Sequence, residues 1–465
     1  MSRGHTYVNL RFGSGHLTHF AGVVLLQQFI RQIQLRGFLA ESLRFDWRNT
    51  HYPVSDLILS LVYPVVLGLG RIETSAYLSH NGVFQYLTGL TRYPAPTTLR
   101  RFLSRLGQPP ALRVFEAMHD RMRRRFFAHP ATRTSAVFDL DSTVFSVFGQ
   151  QEGAVVGYNP RRVGRRSYQP LLCVERTGGG DAWAGSLRPG DRHVLRDAQP
   201  LIAHAIEKLP RGVRSVRVRA DAAFYDGRFL SYLEGESVGY AIPARATRPL
   251  ANRFGGLTYR AFKGNVEIAE MAYRAMGWER ERRMIVVRRP IPEPPSWQLT
   301  LFKMGRHLYQ VIVTNLDLEP LNLWRFYNER ATMELAIRQW KYGWPLAKSP
   351  GRDWAMNAGW FHLVLFAFNL LKWFQRCVVP SELQRATIPT LRERLLCVPA
   401  SLRRPGGKAT MTLPAGYPYR EAFEQTAQAI RRLKPMDFSA TGVEPWISQW
   451  SAAEEDSCHK SSPKR

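Results

Sequence analysis

Cysteine is scarce in this sequence. Cys173, Cys377, Cys397 and Cys458 have no CxxC spacing and no nearby histidine pair. Neither a zinc site nor a disulfide framework is indicated, and a reducing compartment is expected. Acid is short as well: 37 Asp and Glu stand against 65 Lys and Arg, for a formal net charge of +28 and a pI near 10.5. The excess runs along the whole chain, and the natural partner of such a surface is a polyanion. Most of the bias is toward Arg, which a GC-rich genome alone would also produce. Long uninterrupted apolar runs are missing. The run 57–69 contains Pro64 and the run 360–371 contains His362 and Asn369. Both fall short of the ~20 residues that span a bilayer, so buried helices and no membrane partner are expected. No positive-then-apolar leader opens the sequence and no internal repeat is found. A cytoplasmic, nucleoid-associated protein is the expectation.

What is present is enough apolar material for real cores. Hydrophobic residues make up 45% and aromatics 12% of 465 residues, a length suited to about three domains. Residues 1–130 read as all-helical. Near their end, Pro94-Ala-Pro-Thr-Thr precedes a helix that Thr97 or Thr98 can cap. Its Leu99, Phe102, Leu103 and Leu106 form one face, with Arg100, Arg101 and Arg105 beside it as possible DNA contacts or as a solvated charged face. A second basic helix follows at 118–127. From 134 the texture changes. Alternating stretches at 134–147, 167–176 and 181–188 read as an antiparallel meander. A helix at 197–209, a strand at 213–220, a helix at 227–234 and a strand at 238–243 follow. Three strands, helix, strand, helix, strand is the order of an RNase H-like fold. The stretch 247–312 reads as a mostly β insertion, with a strand at 309–316 returning to the core. The second part of the core spans 313–380 and includes a long apolar helix at 352–377. A helical C-terminal region spans 381–452, and 453–465 form a polar tail expected to be disordered. The fold class expected is an α/β RNase H-like catalytic core, at 131–246 and 313–380, with a mostly β insertion, an all-helical N-terminal region and a helical C-terminal region.

The stretch 324–344, WRFYNERATMELAIRQWKYGW, reads as one helix. At about 100° per residue, Tyr327, Arg330 and Lys341 lie within roughly 60° of Glu334 around it. Arg325, Asn328, Glu329, Thr332 and Gln339 lie opposite, so the four are expected to turn toward the protein body. An inward carboxylate needs a cation. Arg330 and Arg338, each four residues from Glu334, could supply it in an ordinary amphipathic helix. On the first strand of the meander, Asp139 and Asp141 share a face opposite Phe138 and Leu140, and carboxylates on a central strand are costly unless they hold a cation. Asp221 ends the strand 213–220, at the sheet edge where functional groups collect. Asp226 reads as the cap of the next helix.

The spacing Y-x2-R-x3-E-x6-K, with Asp141-Ser-Thr and Arg219-Ala-Asp-Ala-Ala-Phe, resembles bacterial insertion-sequence transposases of the DDE, RNase H-like superfamily. Gln151-Glu-Gly-Ala-Val-Val-Gly-Tyr-Asn-Pro, the stretch 164–172 and Leu187-Arg-Pro-Gly resemble the transposase DDE-domain group 1, although Asp191 stands where Asn is expected. The resemblance implies Asp141, Asp221 and Glu334 as the catalytic triad and metal ligands, with Asp139 as understudy. It implies two Mg²⁺ ions, replaceable by Mn²⁺, and Tyr327, Arg330 and Lys341 at DNA phosphates. The implied partners are the terminal inverted repeats and target DNA, held by a homodimer that cuts and pastes the element. Glu334 is expected to close the cluster from a helix that can retract where like charges repel. Some relatives hold a flipped base on a tryptophan of the insertion, and Trp278 and Trp297 are candidates by position. Two other functions are compatible with the residues. One is an RNase H-like nuclease without strand transfer; the other is a domesticated DNA-binding protein, which the intact triad disfavours.

Overall fold

A computed structural model describes residues 16–44, 51–129, 133–245, 247–262, 264–291, 302–304, 306–436 and 438. They form two units. The tail 453–465 and Trp297 lie outside the described residues.

The first unit holds the described residues up to Leu103 together with 343–345 and 373–436. The helix Val54–Val66 is buried along almost all of its length despite Pro64, as expected of a core helix. Helix Val23–Gln32 lies against Arg420–Arg432. The N-terminal region is not purely helical, because Leu17–Thr18 pairs antiparallel with Ala400–Arg403, itself paired with Thr410–Thr412. Leu103 closes this unit inside the helix Pro96–Leu106, whose Leu99, Phe102, Leu103 and Leu106 are fully buried. The helix begins at Pro96, two residues earlier than a cap at Thr97 would set it and three earlier than one at Thr98. The Ala95 carbonyl accepts from Thr98 and Leu99, so Thr97 and Thr98 stand inside its first turn. Arg101 and Arg105 are exposed, while Arg100 is engaged with Glu73.

The second unit holds the described residues of 104–342 and 346–372, with 438. The units thus divide the chain differently from boundaries near 130 and 380. Helix α1 (Pro109–Phe127) belongs to the second unit, and the chain from 373 to the first. Part of the basic face of α1 is internal: Arg123 is buried, pairs with Asp120 at 2.7 Å and donates to the Ala182 carbonyl.

The sheet of this unit is built from β1 (Ser135–Ser142), β2 (Leu171–Glu175), β3 (Asp181–Ser186), β4 (Ser215–Arg219) and β5 (Gly239–Pro243), in the order β3-β2-β1-β4-β5. Strands β1 to β3 form an antiparallel meander, whereas β4 and β5 run parallel to β1. Helices α2 (Leu195–Glu207) and α3 (Gly227–Gly235) make the crossovers. Asp226 caps α3, accepting from Arg228 and Phe229. The expected single strands 134–147 and 167–176 each break in two. Phe145–Ser146, Val155–Val156 and Arg166–Tyr168 leave the main sheet and form a small one of their own.

The insertion does not form a separate β body. Its strands β6 (Arg260–Phe262), β7 (Val266–Tyr273), β8 (Arg282–Pro290) and β9 (His307–Thr314), with Phe302–Met304 alongside β9, continue the main sheet beyond β5 through antiparallel pairing of β9. Apolar side chains on one face of β1, Phe138 and Leu140 among them, join α2 and α3 in the main core. Trp278 belongs to that core. It is 7% exposed, packs on Tyr225 and Gly227 and carries Arg282 over its ring, so it is not available to hold a base.

At the far edge, Asn369 binds β3 in the manner of another strand: its amide accepts from the Ala182 N–H and donates to the Ala182 carbonyl, at 2.8 and 2.9 Å. Asn369 sits on the helix Trp354–Val378, long and apolar enough to cross a membrane by length and composition. With 89% of its apolar window buried inside the protein, it is a core helix.

Candidate active site

Strand β1 carries two carboxylates on the face opposite Phe138 and Leu140, as alternation requires. Asp139 is fully buried. Its parallel register partner on β4 is Arg219, which clamps it with Nε–Oδ1 at 2.6 Å and Nη2–Oδ2 at 3.1 Å. Arg176 stands 3.6 Å away on the other side. Burial still holds the Asp139 carboxyl above its ordinary range, against the pull of Arg219. Two residues on, Asp141 is 8% exposed and pairs with Arg330, with Nη2–Oδ2 at 3.0 Å. Burial pushes Asp141 up to about 7; Arg330 opposes the shift, while Asp221 and Glu334 add to it. Both carboxylates are therefore close enough to be felt. Asp221 follows the end of β4 and turns the chain, accepting from the Ala223 N–H at 2.9 Å.

The stretch expected as one helix is broken. Helix α4 (Pro320–Asn328) gives way to α5 (Ala331–Arg338) and then to a π-helical turn, Gln339–Gly343. At the break the hydrogen bonds shorten to three residues: Arg330 to Tyr327, Thr332 to Glu329 and Met333 to Arg330. Such a turn advances each residue by about 120° instead of 100°, and the buried face slips accordingly. Met333 and Trp340 point inward, whereas Glu334 is exposed, its side chain 73% open, and Leu335 is 56% open. The inward placement of Glu334 is therefore corrected. The face of Arg325, Asn328, Glu329 and Thr332 is exposed as expected.

Arg330 is 6% exposed, lies 3.9 Å from Glu334 Oε1, and has a buried Nε without a hydrogen-bond partner among the described residues. Burial lowers its pKa and the facing Asp141, with Tyr327 and Asp221, more than restores it. Tyr327 packs in an apolar cluster with Leu323 and Ile312, and burial pushes its hydroxyl up to about 12. Arg219 holds the break in place, donating at 2.6 Å to the Phe326 carbonyl and at 3.0 Å to Glu329. Its role is not legible from the motif that contains it.

Two open cavities meet here. One of about 720 Å³ is lined by Asp141, Glu334, Arg338 and Lys341; the other, of about 1150 Å³, by Asp221 and again Lys341. Burial, helped by Arg161, holds the Lys341 ammonium below its ordinary pKa. Asp141, Asp221, Glu334, Arg330 and Lys341 are thus gathered in one region. Tyr327 and Arg330 lie behind its surface.

The sequence family described as transposase DDE domain group 1 matches residues 2–435. The chain belongs to this family. It is a DDE transposase, an enzyme of DNA transposition, and its mixed α/β fold with a large mixed sheet is the scaffold of that activity. No curated protein matches the transposase sequence. Among solved structures it is similar to the piggyBac transposase in a synaptic complex with hairpin DNA, at 11% identity over 81% of this chain and 80% of that one, with a TM-score of 0.43.

Proposed function

We propose that this transposase excises and inserts a bacterial insertion sequence, cutting DNA at the terminal inverted repeats and joining the ends to target DNA with Asp141, Asp221 and Glu334. The observation that carries this is the sharing of one guanidinium, Arg330, by Asp141 and Glu334, with Asp221 near enough to raise the Asp141 pKa. The strand order β3-β2-β1-β4-β5, a meander followed by two parallel strands, supports an RNase H-like core beneath them.

Three carboxylates are the donor type that hard divalent cations take, and Arg330 stands where two of them already share a positive charge. Among the described residues no three such groups are drawn together into a ready metal cage, so the fit is one of donor chemistry and shared charge. Asp141, Asp221 and Glu334 would hold two Mg²⁺ ions, replaceable by Mn²⁺. When bound, such ions supply an activated water or 3′-hydroxyl and stabilise the leaving oxygen. The protein adds charge and position. Lys341 lines both cavities and offsets phosphate charge, and Arg330, behind the surface, supplies positive charge through Asp141 and Glu334. Arg219 holds the break that carries Arg330 against β1. Two copies of the chain, one at each end, form the assembly we propose, with the helix of Arg101 and Arg105 among the surfaces that recognise the ends.

Asp141→Asn, Asp221→Asn and Glu334→Gln are each expected to lower strand cleavage by roughly 10³-fold or more, with binding to the transposon end nearly unchanged. Wild-type cleavage by any of the three would remove that residue from the triad. If the complex makes about 6–10 phosphate contacts, affinity falls by roughly 10³–10⁵ between 50 and 200 mM salt; a flat response would contradict binding driven by the +28 charge.

A further inference from the structure

Beside the carboxylates lies a surface that triad chemistry does not explain. The 1150 Å³ groove is lined on its outer side by three aromatic rings that a solvated surface would not gather: Phe148, Tyr158 and Tyr342, exposed to 70%, 72% and 74%. Basic groups interleave with them. Arg162 and Arg165 lie 4.9 and 5.2 Å from the centre of the Phe148 ring, and Arg161 Nη1 is 3.5 Å from the Tyr342 hydroxyl.

The platform that presents Tyr158 is built rigidly. Gly157 packs its backbone on Gly190, where a Cβ would come within 2.0 Å of the Gly190 carbonyl oxygen. A Cβ on Gly190 would in turn meet the Ser167 and Val155 carbonyl oxygens at 2.4 and 2.5 Å. Only glycine fits at either position, which gives the Val-Gly-Tyr-Asn-Pro and Leu-Arg-Pro-Gly segments a joint purpose. The next residue, Asn159, is 5% exposed and ties the loop down through Ser146 Oγ at 3.0 Å and the Arg162 N–H at 3.1 Å.

Exposed ring faces among cations are the equipment for stacking unpaired bases, because a paired duplex keeps its base faces covered and offers only edges and phosphates. Resting on the transposase function proposed above, we infer that this groove binds unpaired nucleotides of a DNA strand next to the scissile phosphate. Tyr158 and Tyr342 stack on bases, and Arg161 and Arg162 hold the backbone. The groove adjoins Asp221 and Lys341, so a strand lying in it leads directly to the carboxylates.

The test uses the full chain in EDTA, so that no turnover intervenes, with two transposon-end duplexes: one blunt, the other extended by a short single strand carrying 2-aminopurine. Wild-type protein should bind the extended duplex more tightly and quench the probe. Tyr158→Ala and Tyr342→Ala should each weaken binding of the extended duplex by roughly 5- to 100-fold and leave the blunt duplex unchanged. Tyr158→Phe, which keeps the ring, should behave as wild type. Equal affinity of wild type for the two duplexes, or indifference of the extended duplex to both alanine variants, would overturn the inference and hand the groove to a protein partner. Loss of both duplexes together in Tyr158→Ala would overturn it as well. Failure of wild type to bind either duplex would sink the proposed function; binding without preference for the tail sinks this inference alone.

Discussion

Asp139 and Asp141 stand two residues apart on one face of one strand, and they differ in where their positive partner comes from. The partner of Asp139 is Arg219, a register neighbour in the same sheet, fixed by two hydrogen bonds and backed by Arg176. The partner of Asp141 is Arg330, borrowed from a break between two helices and shared with an exposed glutamate. A carboxylate neutralised from within its own sheet has no charge to offer a ligand. One neutralised by a side chain on a separate element keeps that possibility, which is why Asp141 is the candidate ligand and Asp139 part of the frame.

The contrast can be broken by removing the cations in turn. Arg219→Ala leaves a fully buried carboxylate with no closer cation than Arg176 at 3.6 Å and frees the Phe326 carbonyl, so a loss of about 3–5 kcal/mol in chemical denaturation is expected. A loss no larger than that of an exposed pair would mean Asp139 is not locked. The pH dependence sharpens the other half. Both Asp141 and Glu175, a second buried carboxyl set against Asp181, are pushed up to about 7 by burial. Between pH 4 and 7 the native chain keeps those protons while the unfolded chain has released them. Without metal, stability should therefore fall as pH rises through that window, by about 1.4 kcal/mol per carboxyl for each pH step of one, and then level off. Asp141→Asn should flatten the part of that slope due to Asp141 and leave the part due to Glu175. An unchanged profile in denaturant titrations would deny the raised pKa. The smallest effect is expected from Arg176→Ala, whose partly exposed contact to Asp139 is 3.6 Å long; its stability should change by no more than about 1 kcal/mol.

How much of this the sequence reveals depends on the range of the interaction. The main-sheet strands and the helices between 134 and 243 are legible because alternation and helical spacing are local, and Asp226 announces its cap in the same way, but the breaks that send Phe145–Ser146 and Arg166–Tyr168 into a sheet of their own are not. The Asp139–Arg219 pair is not, since parallel register joins residues far apart in the chain. An inward Glu334 rests on the premise of a constant 100° per residue, which three shortened hydrogen bonds at the break cancel. The insertion reads correctly as strands, and the one read at 309–316 does return to the core by pairing with β5, but nothing in the residues of β6 to β8 tells that they extend the same sheet beyond it.

The amide of Asn369 has a bearing on what happens to the chain before it ever meets DNA. Strand β3 ends the sheet, and a terminal strand with bare N–H and C=O groups is a template on which a second nascent chain can zip itself. Through Asn369, with Arg123 adding a donor to the same carbonyl, the backbone of Ala182 is already spoken for. A transposase carrying Asn369→Leu would therefore be expected to betray itself as insoluble protein at high expression, well before any loss of cutting could be assayed.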